Sequence, residues 1–147
     1  MSQTLTIDQR IEVPRRFMAE VFNGQNPERA RDFFTADALW HGPSIAEVAG
    51  VDSIVGLLGA FIGALSNIRA EEQEVIASGD LVALRLVVTA TQAGDLLGIP
   101  ASGREVRWDA VDIYRVTDDG KISEQWAFED MAAIGSQLGA FSLPWAN

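Results

Sequence analysis

Apolar positions recur at helical spacing through the first part of the chain and at a spacing of two through the rest. Val13, Phe17, Met18, Val21 and Phe22 form a stripe that predicts a helix over 8–23, ended by Gly24. Pro14 either kinks that helix or marks its first turn. Asn26-Pro27 predicts a short second helix reaching Phe34, with the asparagine as cap and the proline at the first helical position. Ala38 to His41 reads as a short strand stopped by Gly42-Pro43. The run 52–65 is apolar on nearly every side, through Ile54, Val55, Leu57, Leu58, Phe61 and Ile62, and predicts a buried helix. It is too short to cross a bilayer, which takes about 20 apolar residues. Gly56, Gly59 and Gly63 each lower helix propensity by about 1 kcal/mol, which a backbone lying close against a sheet would explain.

From residue 68 the period changes. Two long strands are predicted over 68–77 and 81–92, joined at Ser78-Gly79-Asp80. Residues 93–103 are rich in glycine and expose Leu96, Leu97 and Ile99, the pattern of a flap over apolar space. Two further strands follow. In 105–117, Val106, Trp108, Ala110, Asp112, Tyr114 and Val116 share a face, and in 121–130 Ile122, Glu124, Trp126, Phe128 and Asp130 do so. Asp118-Asp119-Gly120 has the composition of a type I turn followed by a left-handed glycine, a three-residue hairpin loop. That loop pairs Val116 with Ile122, Asp112 with Trp126 and Trp108 with Asp130. A two-residue loop would pair Asp109 with Asp130 instead. Helices first and an antiparallel meander after them make an α+β layout in one domain.

Composition narrows the function classes. The 147 residues hold no cysteine and one histidine, so neither a thiolate nor a polyhistidine metal site is expected, and no disulfide or thiol nucleophile. A formal charge of −10 argues against nucleic acid and anionic membrane surfaces as partners. No signal-peptide pattern opens the chain, so a cytoplasmic location is expected. No phosphate-loop motif appears, since no lysine follows the glycines of 93–103.

The candidate chemistry lies in carboxylates on an aromatic face. Asp112 sits mid-strand among hydrophobic neighbours, where an ionised group is costly unless paired or facing a wet cavity. Asp130 precedes Met131 to Leu138, a short helix it is suited to cap, and capping and catalysis can share one residue. In this register the two aspartates stand four positions apart along the ladder, roughly 13 Å, too far to share a proton. His41 has a side chain suited to proton transfer near neutrality. Burial beside two indoles is expected to raise the pKa of Asp130. Val111, Ile113 and Ala127 are expected on the outer face of the sheet, where a row of apolar residues invites a homodimer.

Phe17 to Asn23, His41-Gly42-Pro43, Gly98 to Arg104, Asp112 to Val116, Gly120 to Trp126, Asp130 and Gln137-Leu138-Gly139 together resemble the SnoaL-like polyketide cyclase family. The resemblance implies the cone-shaped α+β barrel of the nuclear transport factor 2-like superfamily, a curved sheet wrapped round three N-terminal helices to enclose a pocket. It also implies that Asp130 is the acid/base residue of a cofactor-free intramolecular aldol closure. On that reading Asp130 and His41 are catalytic, and Trp108, Asp112, Tyr114, Trp126, Phe17 and Ile99 contact an apolar or aromatic carbonyl substrate. Ser66-Asn67 stands where the family often has proline-aspartate. Two other readings remain open on the same fold. One is a ligand-binding or accessory protein with an inert pocket. The other is a limonene-type epoxide hydrolase, whose aspartate-arginine-aspartate set finds its nearest candidates in Arg107 and Asp109, on the face opposite Asp130 in this register.

Overall fold

The computed structural model describes residues 4–146. Helix α1 (Ile7–Phe17) starts at Thr6, whose hydroxyl accepts from the Gln9 amide while the Gln9 side chain accepts from the Thr6 amide. The helix runs through Pro14 and widens into a π-helical turn over Met18–Asn23, so the proline lies in its interior and not at its first turn. Pro27–Asp32 forms a 3-10 helix, and Asn26 makes no side-chain cap to it.

Strand β1 (Phe34–Gly42) is longer than its sequence pattern indicated, and β2 (Ala46–Ala49) was not legible at all. Helix α2 (Val51–Gly63) follows, then β3 (Leu65–Ser78), β4 (Leu81–Gln92), β5 (Glu105–Val116), β6 (Ile122–Glu129) and the short α3 (Met131–Gln137). The six strands order as β2-β1-β6-β5-β4-β3, with β1 parallel to β6 and every other pair antiparallel. The outermost strands β2 and β3 do not pair with each other, so the sheet is a curved, unclosed cone and not a complete barrel.

The apolar side chains of α1, the π turn and α2 fill the concave side. Phe17 is fully buried, edge-on to Phe33, Phe34 and Tyr114. Arg10, also buried, donates to the Val116 carbonyl and to Asp118, which ties α1 to the β5–β6 hairpin. The glycines of α2 do not ease an approach to the sheet as expected. A Cβ added at Gly56 or Gly63 would meet nothing within 4 Å, and one at Gly59 would meet only Pro27 at 4.0 Å. Ile54, Val55, Leu58 and Ile62 form the buried stripe. The surplus apolar residues Leu57, Ala60 and Phe61 face a cavity instead.

The β5–β6 hairpin closes as its sequence predicts. Thr117 and Gly120 donate to Lys121 and Thr117 carbonyls respectively, and Gly120 takes φ 80°. Val116 pairs with Ile122, but the next pair is Arg115 with Glu124, so Ser123 is an extra residue that bulges out of β6. Beyond the bulge Ile113 faces Trp126, Asp112 faces Ala127 and Ala110 faces Glu129. The Asp130 amide donates to the Asp109 carbonyl at 3.1 Å. The expected pairing of Trp108 with Asp130 is therefore corrected by one residue. The physical reason lies beside Tyr114. Without a bulge, Glu124 would stand beside the fully buried Tyr114; with it, the neutral Gln125 does. Where β6 stops, Gln137 of α3 accepts from the Arg107 amide at 2.9 Å and donates to its carbonyl at 2.6 Å, standing in for the missing strand.

Candidate active site

A cavity of about 220 Å³ opens between the concave face of the sheet and α2. Phe22, Leu57, Leu58, Ala60 and Phe61 form its helical wall, and Trp40 and Ile45 of the β1–β2 hairpin form another side. Leu96 and Leu97 line it from the 93–104 loop, with Asp95 beside them; Leu97 is exposed as expected, but Leu96 is 1% exposed and belongs to the core. Ile99 does not line the cavity; its carbonyl is anchored by the Gln92 side chain at 2.9 Å. Asp112, Gln125, Ala127 and Glu129 form the floor. No lysine, arginine or histidine is among the lining residues.

The bulge redistributes the expected site. Asp112 is in the cavity, whereas Trp108 and Tyr114, buried on the same face of β5, do not line it. Phe17 belongs to the core beneath. Trp126 is turned to the outer face, stacked on His41 with centroids 5.4 Å apart. His41 is there too, bonded through Nδ1 to Glu47 and through Nε2 to Glu124 at 2.7 Å. Both carboxylates, Glu124 first, hold its pKa above the usual histidine value, so it is an ion-bridging residue of the sheet exterior. Asp130 is exposed, and its Oδ1 accepts from the Ala133 amide at 3.0 Å as the cap of α3. Arg107 and Asp109 are exposed on the same outer side as Asp130 and not opposite it. No arginine meets an aspartate in the cavity, and the hydrolase constellation is not assembled.

Sequence reasoning missed Glu129, Gln125 and Trp40. The first two were assigned to the outside by an unbroken period of two. The one signal for the slip was Glu124 itself, a charged residue that an unbulged strand would bury.

A family profile, SnoaL-like polyketide cyclase, matches residues 12–138. The chain belongs to that family. Aklanonic acid methyl ester cyclase DnrD of Streptomyces peucetius is 28% identical over 142 residues, covering 92% of each protein. Two crystal structures share the fold. A protein of Jannaschia sp. CCS1 assigned as a SnoaL-like polyketide cyclase superposes with a TM-score of 0.85 at 21% identity, over 96% of this chain and 99% of that one. AclR of Streptomyces galilaeus, assigned as a hydroxylase, gives 0.79 at 26% identity over 92% and 99%.

In this SnoaL-like pocket two carboxyls are diagonal neighbours on adjacent strands, since Asp112 faces Ala127 and Glu129 lies two residues further along β6. Diagonal pairs of this kind stand roughly 7–8 Å apart, so the acidic partner of Asp112 in the cavity is Glu129, and Asp130, expected there at a distance, lies outside it. Ala127 opposite Asp112 and Ala110 opposite Glu129 keep the floor low and leave space above it. Asp112 is 3% exposed. Loss of hydration drives its pKa well above the carboxylate range, the negative charge of Glu129 adds to this, and a hydrogen bond from the Tyr114 hydroxyl at 3.3 Å opposes it. The neutral form of Asp112 is accordingly favoured over its anion. Glu129 is pushed up to about 7 by the same loss of hydration, against a hydrogen bond donated by the Trp108 indole that favours the charged form. The indole also fixes its direction.

The raised Glu129 pKa has a defined stability signature. The folded state holds this proton up to about pH 7, while the unfolded chain releases it near 4.5. Ionisation therefore opposes folding increasingly as pH rises between those values, by at most about 3 kcal/mol at 1.36 kcal/mol per pKa unit. Glu129→Gln removes the effect. Urea unfolding at pH 5 and pH 8 is expected to show the variant gaining stability relative to wild type at the higher pH.

Proposed function

We propose that this chain is a cofactor-independent cyclase that closes a ring by intramolecular aldol chemistry on an uncharged, apolar carbonyl substrate, with Glu129 as the acid/base residue. The observation that carries this reading is a pair of carboxyls, Glu129 and Asp112, diagonal on adjacent strands in the floor of an apolar cavity, with the Trp108 indole donating to Glu129 and burial raising both pKa values, that of Glu129 to about 7. A base poised near the working pH both accepts a proton and returns it. Glu129 takes a proton from the carbon next to a carbonyl, and the enolate carbon attacks a second carbonyl of the same molecule. One carbon–carbon bond forms, and the resulting alkoxide receives the proton held by Glu129. Nothing is added or lost, so the product is an isomer. Asp112, protonated, donates a hydrogen bond to the enolate oxygen as charge develops. Trp108 orients Glu129 from behind.

The similarity to DnrD, whose name specifies a methyl ester of aklanonic acid, supports an aromatic polyketide ester as substrate class. The cavity agrees with a neutral ligand, because its walls are apolar and its titratable groups are all acidic. Asp130, which the family resemblance designated, stands outside this cavity, and the two carboxyls make opposite forecasts. On a cyclisable polyketide ester, Glu129→Gln is expected to lower turnover by roughly a hundred- to ten-thousand-fold. Asp130→Asn, which keeps the helix cap, is expected to leave turnover near wild type. The reverse pattern would return the base to Asp130, and binding without turnover in wild type would favour an accessory or ligand-binding protein.

We also propose a homodimer through the outer sheet face. Val111 and Phe128 are cross-strand partners exposed at 38% and 45%, and Leu39 is exposed at 42% on β1. Ala127, expected in this patch, is buried on the concave side. Light scattering at tens of micromolar is expected to give twice the chain mass, and Phe128→Glu to give the monomer.

A further inference from the structure

Trp40, Asp112 and Gln125 are each about nineteen-twentieths buried or more, and each carries a polar atom without a hydrogen-bond partner: the Trp40 indole N–H, Asp112 Oδ1 and Gln125 Oε1. All three residues line the one cavity. Buried polar groups are nearly always paired, so unpaired ones that face a common space mark where a ligand's polar atoms belong.

The strand register brings them together. Trp40 of β1 is the parallel partner of Gln125 of β6, and Gln125 is diagonal to Asp112 of β5 across the Asp112–Ala127 pair. They occupy adjacent strands on the concave face, where curvature makes side chains converge. Gly42 sets the indole in place. A Cβ there would stand 2.4 Å from two carbons of the Trp40 six-membered ring, so that ring lies across the strand at a position only glycine leaves open. No positive charge accompanies the three groups.

We propose that Trp40, Gln125 and Asp112 form a neutral oxygen-binding subsite that receives a carbonyl oxygen of the ring substrate and holds it through the enolate stage, apart from the proton-transferring Glu129. The subsite deepens the cyclase reading, and its role in holding an enolate rests on that reading. Its recognition of a ketone does not, and can be measured without turnover. Trp40 supplies a fixed N–H to the ketone oxygen; a half-turn of the Gln125 amide exchanges its unpaired Oε1, an acceptor, for the NH₂ at the same place, and the Asp112 carboxyl, whose neutral form burial favours, donates through Oδ1. A ketone oxygen satisfies these donors, whereas a hydrocarbon of the same shape leaves them bare.

The test uses 1-tetralone and its hydrocarbon counterpart tetralin as probes at pH 8. Calorimetric dissociation constants give the ketone-to-hydrocarbon preference, and infrared difference spectra give the carbonyl stretch of bound tetralone. Wild type is expected to favour the ketone and to lower its stretch relative to hexane solution. Trp40→Phe and Gln125→Leu are each expected to reduce that preference by roughly two- to tenfold, the worth of one neutral hydrogen bond, and to raise the stretch. Gln125→Leu carries the test if Trp40→Phe fails to fold. Glu129→Gln is expected to keep both the preference and the stretch, whether or not it abolishes turnover. Failure of the wild type to favour the ketone, including failure to bind it, overturns the subsite. So does a preference that both variants leave intact, or one that only Glu129→Gln removes.

Discussion

One inserted residue governs what this cavity can do. Ser123 bulges from β6 one pair beyond the hairpin turn and reverses the facing of every side chain after it. The reversal sends Glu124 outward to His41 and Arg115, and Trp126 out to stack on His41. It sends Gln125, Ala127 and Glu129 inward. The exchange is favourable at both surfaces, because a charged residue leaves the neighbourhood of the buried Tyr114 and a neutral amide replaces it. Glu129 bears the cost of this arrangement, since it enters the largely apolar lining of the cavity.

A carboxyl placed there has two partners with opposite effects. Lost hydration favours its neutral form and the Trp108 indole favours its anion, and hydration is the larger. Asp112 has the weaker compensation, one long hydrogen bond from Tyr114, and its pKa is driven well above the carboxylate range. Two like carboxyls thus both have their neutral forms favoured by lost hydration, each opposed by a different hydrogen-bond donor, and such tuning suits acid/base chemistry near neutral pH.

The elements of the fold were legible because their periodicities are strong. The β4 span, the α+β order, the inward face of β5 and the three-residue turn all follow from side-chain spacing and turn chemistry. The short edge strand β2 was not, since four residues of mixed polarity carry no period. The site was half legible. Asp112 stood out as a carboxylate inside an apolar run, but the partner on β6 depended on a register that one residue overturns, and turn composition does not report a bulge beyond the turn. The α2 glycines misled for a related reason. They were explained by packing against the sheet, whereas they face open space and the apolar excess of the helix serves the cavity wall.

The central claim is that Glu129 holds its proton to near neutrality inside the cavity, and carboxyl-carbon NMR of glutamate- and aspartate-labelled protein tests it directly. One glutamate signal is expected to titrate near pH 7 and to be missing from Glu129→Gln, and one aspartate signal, from Asp112, to titrate well above the ordinary carboxylate range. A Glu129 signal that titrates near 4.5 would contradict this.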